Sequence, residues 1–292
     1  MNDVLYRTGR IEDLPTIADV LLTALKDMYA RHGVSNPIPP KPDIEEAYGH
    51  LMRTGTFRVA EKDGRIVSIS SAIVRDGLWY LSAFWTLPEL QRQRIGGPLL
   101  DQVWEYGVKA GARTFFTWSS IDLTAMASYM KRGMLPGYQI LGFRGTPLNV
   151  PPEPSGYDAR TLERHVAMAL DKTVRGTSRE ADHAYWLGKG DVSGKAVRKG
   201  DDIVGYYYIT KAGVGPVSWS DPRDAEPILA LAFREAIENN GGEIFLAVPG
   251  TNHGAVRFAF GTGLRLSGYA HLLTTGPFGR LEQYIASGPS LF

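Results

Sequence analysis

The run Thr86–Leu100, TLPELQRQRIGGPLL, constrains the fold more than any other stretch of the chain. Leu78–Leu87 is rich in aromatic and apolar residues and reads as a strand, and Pro88–Arg94 is a polar turn. Behind Ile95-Gly96-Gly97, residues Leu99, Leu100, Val103, Trp104 and Val108 recur at helical spacing. A strand passed through a glycine-containing loop into a helix is the unit of an α/β layer structure. The same geometry points unpaired helix N–H groups and a partial positive charge at one place, which suits an anion such as a phosphate.

The flanking pattern extends this unit. The first seven residues, with Val4, Leu5 and Tyr6, read as a short strand. Asp13 and Pro15 suit a helix start, and Leu14, Ile17, Leu21, Leu25 and Met28 mark one buried face. Pro37, Pro39, Pro40 and Pro42 break the chain before a second helix over Ile44–Arg53. Thr56–Glu61 and Ile66–Val74 flank Asp63-Gly64 as a hairpin, and Asp76-Gly77 turns into the strand Leu78–Leu87. Ala112–Ser119 is a strand, Leu123–Lys131 a helix and Tyr138–Arg144 a strand, so the order is β-α-α-β-β-β-α-β-α-β.

Pro147, Pro151, Pro152 and Pro154 then make a stiff segment poor in N–H donors, which predicts a linker over residues 149–156 between domains 1–148 and 157–292. The second half repeats the plan. Helices are expected at Thr161–Leu170, Ser178–Leu187, Ala225–Glu238 and Asn252–Phe260. Strands are expected at Gly194–Lys199, Ile203–Thr210, Val214–Trp219, Ile244–Val248 and Leu266–Leu273. The fold class is α/β in the broad sense (α+β), two tandem domains, each a mixed, mostly antiparallel sheet flanked by helices.

Composition narrows the function. At 43% hydrophobic and 22% charged the 292-residue chain can build cores. A net charge of +1 argues against a nucleic-acid coat protein. Without cysteine there is no thiolate metal site and no cysteine nucleophile, and no two of the six histidines stand three or four residues apart. No metal, nucleic acid or membrane is expected as a partner, and a cytoplasmic location is consistent with the missing cysteines and the missing signal pattern.

Gln91-Arg92-Gln93-Arg94-Ile95-Gly96, preceded by Pro88-Glu89 and followed by Leu99-Leu100, resembles the Gln/Arg-x-x-Gly-x-Gly/Ala signature of the GNAT superfamily of N-acetyltransferases. Ala125-Met-Ala-Ser-Tyr129-Met-Lys131-Arg-Gly133 is similar to that family's Ala-x-x-x-Tyr-x-Lys-x-Gly helix. The resemblance covers Leu5–Arg144. It implies acetyl-CoA, or another acyl-CoA, as co-substrate, held by Thr86, Leu87, Gln91, Arg92, Gln93, Arg94, Ile95, Gly96 and Gly97, with Tyr129 as the catalytic proton donor. Arg94 departs from the family at the first glycine. The second half resembles the degenerate C-terminal domain of tandem members: Ser218–Arg223, SWSDPR, replaces the glycine-rich loop and Ala259 takes the place of Tyr129.

The implied reaction is direct attack of a primary amine, on a small molecule or a peptide, on the acetyl thioester. The carbonyl would be polarised by backbone N–H groups near Thr86 or Leu87. Tyr29, Tyr80, Phe84 and Trp118 are candidates for the acceptor pocket, with packing as the competing reading. No general base stands out; Asp122 competes as a helix cap. The alternative reading is a non-catalytic acyl-CoA-binding sensor or scaffold, and a homodimer is left open.

Overall fold

The computed structural model describes residues 4–240 and 242–292; residues 1–3, the start of the expected first strand, lie outside them. The chain divides into two compact units, each with helices packed on a mostly antiparallel sheet. The first comprises residues 1–135 with 273–276, the second residues 136–272 with 277–292.

In the first unit, β1 (Leu5–Thr8), β2 (Thr56–Lys62), β3 (Arg65–Arg75) and β4 (Leu78–Thr86) form an antiparallel run in that order. Both expected turns carry the chirality a tight hairpin needs, with Asp63 and Gly64 at φ 52° and 74° and Asp76 and Gly77 at φ 50° and 84°. β4 then pairs in parallel with β5 (Thr114–Ser119), and this crossover requires the helix between them. The far edge of β5 is covered by residues 273–276: the Thr275 amide donates to Phe115 O at 2.9 Å.

Helix α1 (Leu14–His32) buries Ile17, Leu21, Leu25 and Met28 and ends at Gly33, which is left-handed at φ 64°. α2 (Lys41–Thr54) follows the proline loop. α3 (Gly96–Lys109) packs Leu99, Leu100 and Val103 inward. Gly107 lets α3 approach the fully buried Trp79, because a Cβ there would fall 2.4 Å from the indole. α4 (Leu123–Met130) completes the unit.

The second unit begins with β6 (Leu135–Gly145), most of whose residues lie in it; they pair antiparallel with β11 (Ile244–Pro249). Its sheet continues through β10 (Gly213–Trp219), β9 (Asp202–Thr210) and β8 (Ser193–Lys199) to β7 (Tyr157–Thr161), and β12 (Arg265–Thr274) flanks β6. α5 (Arg164–Val174) and α6 (Glu180–Leu187) lie against the sheet. α7 (Ala225–Asn240) and α8 (His253–Gly261) share a core with Trp219, Phe233 and Phe258. Two strands were not foreseen. One is β7, whose YDART sequence has little apolar alternation; the other is β13 (Tyr284–Ile285), which pairs with β10. Residues 149–156 carry neither helix nor strand.

Candidate active site

The site begins with an interruption in the β4–β5 ladder. The parallel register runs from Leu78↔Thr114 to Leu81↔Thr117 and stops. On its other side β4 stays paired with β3 as far as Ser68↔Thr86, but Leu81 and Ala83 face adjacent residues of β3, so Ser82 is an extra residue. A bulge of this kind bends and twists its strand, and here it turns the second half of β4 away from β5. Ala83 O and Trp85 O face β3, accepting from Ser70 Oγ at 3.2 Å and Ser68 Oγ at 3.0 Å. By the alternation of an antiparallel ladder, the Phe84 and Thr86 amides face the opening. The Leu87 amide donates to Val67 O at 3.0 Å, so of the two amides expected to meet a carbonyl only that of Thr86 faces the gap.

The loop after β4 is pinned from within. Leu87 is buried, and Pro88–Leu90 form one 3-10 turn. Gln91 Nε2 donates to Thr86 O at 3.1 Å and Gln93 Nε2 to Glu89 O at 3.0 Å. Arg92 and Arg94 both stand at φ 62°, in the left-handed region, with exposed side chains. Arg94 therefore keeps the backbone conformation that glycine usually supplies, at a cost of roughly 1–2 kcal/mol. Ile95 is buried and its carbonyl accepts from Tyr6 Oη at 3.1 Å. A Cβ on Gly96 would lie 2.9 Å from Phe84 Cζ, so glycine lets α3 start against that ring; Gly97 has open space. Pro98 lacks an amide, which leaves Gly96 and Gly97 as the free donors of the first turn.

Tyr129, on α4, meets the same ring: the Phe84 and Tyr129 centroids are 6.0 Å apart, edge to face. Tyr129 is only 5% exposed, within a cluster of Trp79, Leu81, Leu100, Val103 and Phe115. Its hydroxyl has no hydrogen-bond partner among the described residues. Burial, helped by the charge of Asp122, raises its pKa well above the usual 10. Asp122 is the N-cap of α4, accepting from the Thr124 and Ala125 amides at 2.9 and 3.1 Å, and Arg31 approaches it at 3.4 Å. A helix terminus, an opened strand edge and a protonated phenol thus converge on Phe84.

Residues 21–134 match the model of the acetyltransferase (GNAT) family. This part of the chain thus resembles the GNAT family. The fold likeness extends over the whole chain. A protein of Pyrococcus horikoshii assigned as an acetyltransferase superposes with a TM-score of 0.80 at 14% identity, covering 100% of this chain and 97% of its own. A GCN5-related N-acetyltransferase from Sphaerobacter thermophilus gives 0.70 at 16% identity, covering 96% and 98%. A tandem GNAT protein from the clavulanic acid biosynthesis pathway gives 0.66 at 14% identity, covering 94% and 99%. No curated protein matches the sequence.

Within the first unit the acceptor candidates occupy different surroundings. Tyr80 is 3% exposed and stacked on Phe116 with centroids 4.7 Å apart, a packing position. Trp118 and Phe84 are half-buried, Trp118 just past the last paired residue of β5. Tyr29 is half-buried in the last turn of α1, where its carbonyl accepts from the Gly33 and Val34 amides. Sequence reasoning did not find Arg31, which reaches Asp122 across 91 positions and also pairs with Asp27 at 2.8 Å. The only local signal was the i, i+4 spacing of Asp27 and Arg31. Among the described residues no cluster of His, Asp or Glu could hold a metal ion.

Proposed function

We propose that the first unit is an N-acetyltransferase that moves an acetyl group from acetyl-CoA to a primary amine on a small molecule or peptide. The observation that carries this reading is the strand edge opened at Ser82, ending at the uncapped N-terminus of α3. The residues present fit such a co-substrate. An extended amide-bearing arm can pair with the unpaired edge of Ser82–Thr86, and a pyrophosphate can lie against the Gly96 and Gly97 amides. When bound, the co-substrate supplies the activated acyl group.

The rest is the work of the protein's own groups. The Thr86 amide is a fixed donor for a carbonyl oxygen, and in a water-poor gap such a donor acts more strongly than in solution. Ser68 Oγ holds the Trp85 carbonyl, which shares a peptide plane with the Thr86 amide, and Gln91 holds the carbonyl of the next peptide unit. Tyr129 keeps its proton at Oη through the neutral range and offers it as a hydrogen bond to a sulfur leaving group. Arg92 and Arg94 add positive charge at the loop. The lack of cysteine fits work in the reducing cytoplasm.

A second reading, an acyl-CoA-binding sensor without turnover, is favoured by one observation: β4 brings no carboxylate to the gap that could accept the amine proton. Titration calorimetry with acetyl-CoA, followed by acetyl-CoA consumption over a panel of amines, separates the two. Binding with turnover supports the transferase, and binding without turnover on any amine supports the sensor. No heat and no thermal shift would remove both.

A further inference from the structure

In the second unit β10 and β11 are the counterparts of β4 and β5. β10 pairs antiparallel with β9 on one side, and on the other its parallel register with β11 is confined to Gly213↔Phe245. The gap that opens beyond this point is filled. β13 pairs antiparallel with β10 through Val217↔Ile285 and Ser218↔Tyr284. The Ala286 amide then donates to Ala247 O on β11 at 3.1 Å. Tyr284, Ile285 and Ala286 are 0%, 0% and 1% exposed. Gly215 makes room for them: it stands at φ 146°, and a Cβ there would fall 2.5 Å from Ala286 O.

The segment is tied down along its length. Gln283 Nε2 donates to Ser220 O at 2.6 Å, in the loop that replaces the glycine-rich one. Asn252 Nδ2 donates to Tyr284 O at 3.0 Å while its Oδ1 caps α8. The buried Arg179 donates to Phe292 O at 2.8 Å, and Arg175 lies over the rings of Tyr284 and Phe292 at 5.2 and 5.3 Å. The start of α7 is also acidic. Asp221 caps the Arg223 amide at 2.9 Å, and the buried Asp224 accepts from Tyr157 at 2.7 Å. Arg223 and Lys199 pair with these two carboxylates at 2.6 and 3.3 Å, so the cations at this place are already engaged.

We propose that Tyr284–Ala286 is an internal strand that occupies the thioester groove of the second unit, so that each chain offers one acyl-CoA site. The single-site count rests on the reading of the first unit; the occupied groove does not. Hydrogen exchange followed by mass spectrometry on the full chain tests the two separately. Without ligand, the amides of 284–286 exchange as slowly as those of 214–219; rapid exchange there overturns the proposal. With saturating acetyl-CoA, protection rises over 82–86 and 96–99 and stays unchanged over 214–219 and 284–286, and calorimetry gives one site per chain. Two sites, or a ligand-dependent change at 284–286, also overturns it. No change anywhere would sink the CoA reading of the first unit and leave the groove to be judged by its ligand-free protection.

Gly215→Val should speed exchange at 284–286 at least tenfold while leaving the response of 82–86 to acetyl-CoA intact. If that variant does not fold, Gln283→Ala removes one tie alone and should give a smaller increase confined to 283–286. Unchanged exchange at 284–286 in a folded Gly215→Val protein counts against the proposal.

Discussion

Arg94 stands where the signature that the loop resembles has its first glycine, and the structure gives that departure a physical meaning. The side chain changed but the backbone did not: φ is 62° at Arg94, as at Arg92. Arg94→Gly would relieve a left-handed strain of roughly 1–2 kcal/mol, offset by about 1 kcal/mol of glycine entropy. Thermal stability should therefore change little, and acetyl-CoA affinity should hold or rise in a calorimetric titration. A tenfold loss would mean that the guanidinium itself holds the phosphate. Tyr129 makes the complementary case. Its hydroxyl has no partner to lose, so Tyr129→Phe should leave the melting temperature and the Kd for acetyl-CoA near wild type. Turnover should fall at least tenfold if the proton matters. Because burial raises the phenol above its usual pKa, it stays protonated from pH 6 to 9, and the loss should be even across that range. An unchanged rate removes its role. The position of Tyr129 was legible as a motif. Its burial against Phe84 was not, because that depends on a ring contact between residues 84 and 129, which no local pattern encodes.

At the scale of elements, local signals were readable and pairing choices were not. Asp63-Gly64 announced its hairpin, and helices α1 and α3 announced their buried faces. Nothing in RLEQYIAS marks a strand that fills a gap, since β13 has two residues and takes its order from β10. The Tyr206-Tyr207-Tyr208 run was readable as a strand but not as a network. Tyr206 donates to Asp171 Oδ1 at 2.5 Å, Tyr208 meets His183 Nδ1 at 3.0 Å, and Tyr207 turns to Glu235 at 2.8 Å. Asp171 also receives Arg179 at 2.5 Å and His183 Nε2 at 3.0 Å, all buried between α5, α6 and the sheet. This cluster predicts acid lability. Burial lowers the pKa of His183 against the pull of Asp171, so the unfolded chain binds a proton near pH 6.5 that the native state refuses. Burial would raise Asp171, but Arg179 and His183 outweigh it and hold the carboxyl at about 2. Both groups therefore make stability fall as pH drops, His183 below about 6.5 and Asp171 from about 4 toward 2. Melting curves between pH 7 and 5 should show Tm falling with acidification, and His183→Gln should flatten that slope. A steeper slope in the variant would contradict the assignment.

At the scale of the whole molecule, the two halves of the sequence and the two units of the fold do not coincide. The proline cluster predicts a break at residues 149–156, and no helix or strand crosses it. Yet residues 136–145 count with the second unit, and residues 273–276 return to the first. β6 supplies the edge partner of β11, from Ile140↔Pro249 to Gly145↔Ile244. The segment after β12 supplies that of β5, with Phe115 bonded to Thr275 through both its amide and its carbonyl. Each unit is thus closed by a strand from the other half of the sequence. A sequence pattern specifies which face of a strand is buried but not which neighbour it pairs with, so this exchange was illegible. Cutting at the proline segment should then expose two problems at once. Fragment 1–148 would carry an uncovered β5 edge and an unpartnered β6, and fragment 157–292 would lack the strand beside β11. Expressed singly, each should be insoluble or melt without cooperativity. Expressed together, they should co-purify and recover the acetyl-CoA response of the intact chain. A soluble fragment 1–148 that melts cooperatively and binds acetyl-CoA alone would show that the first unit does not need residues 273–276.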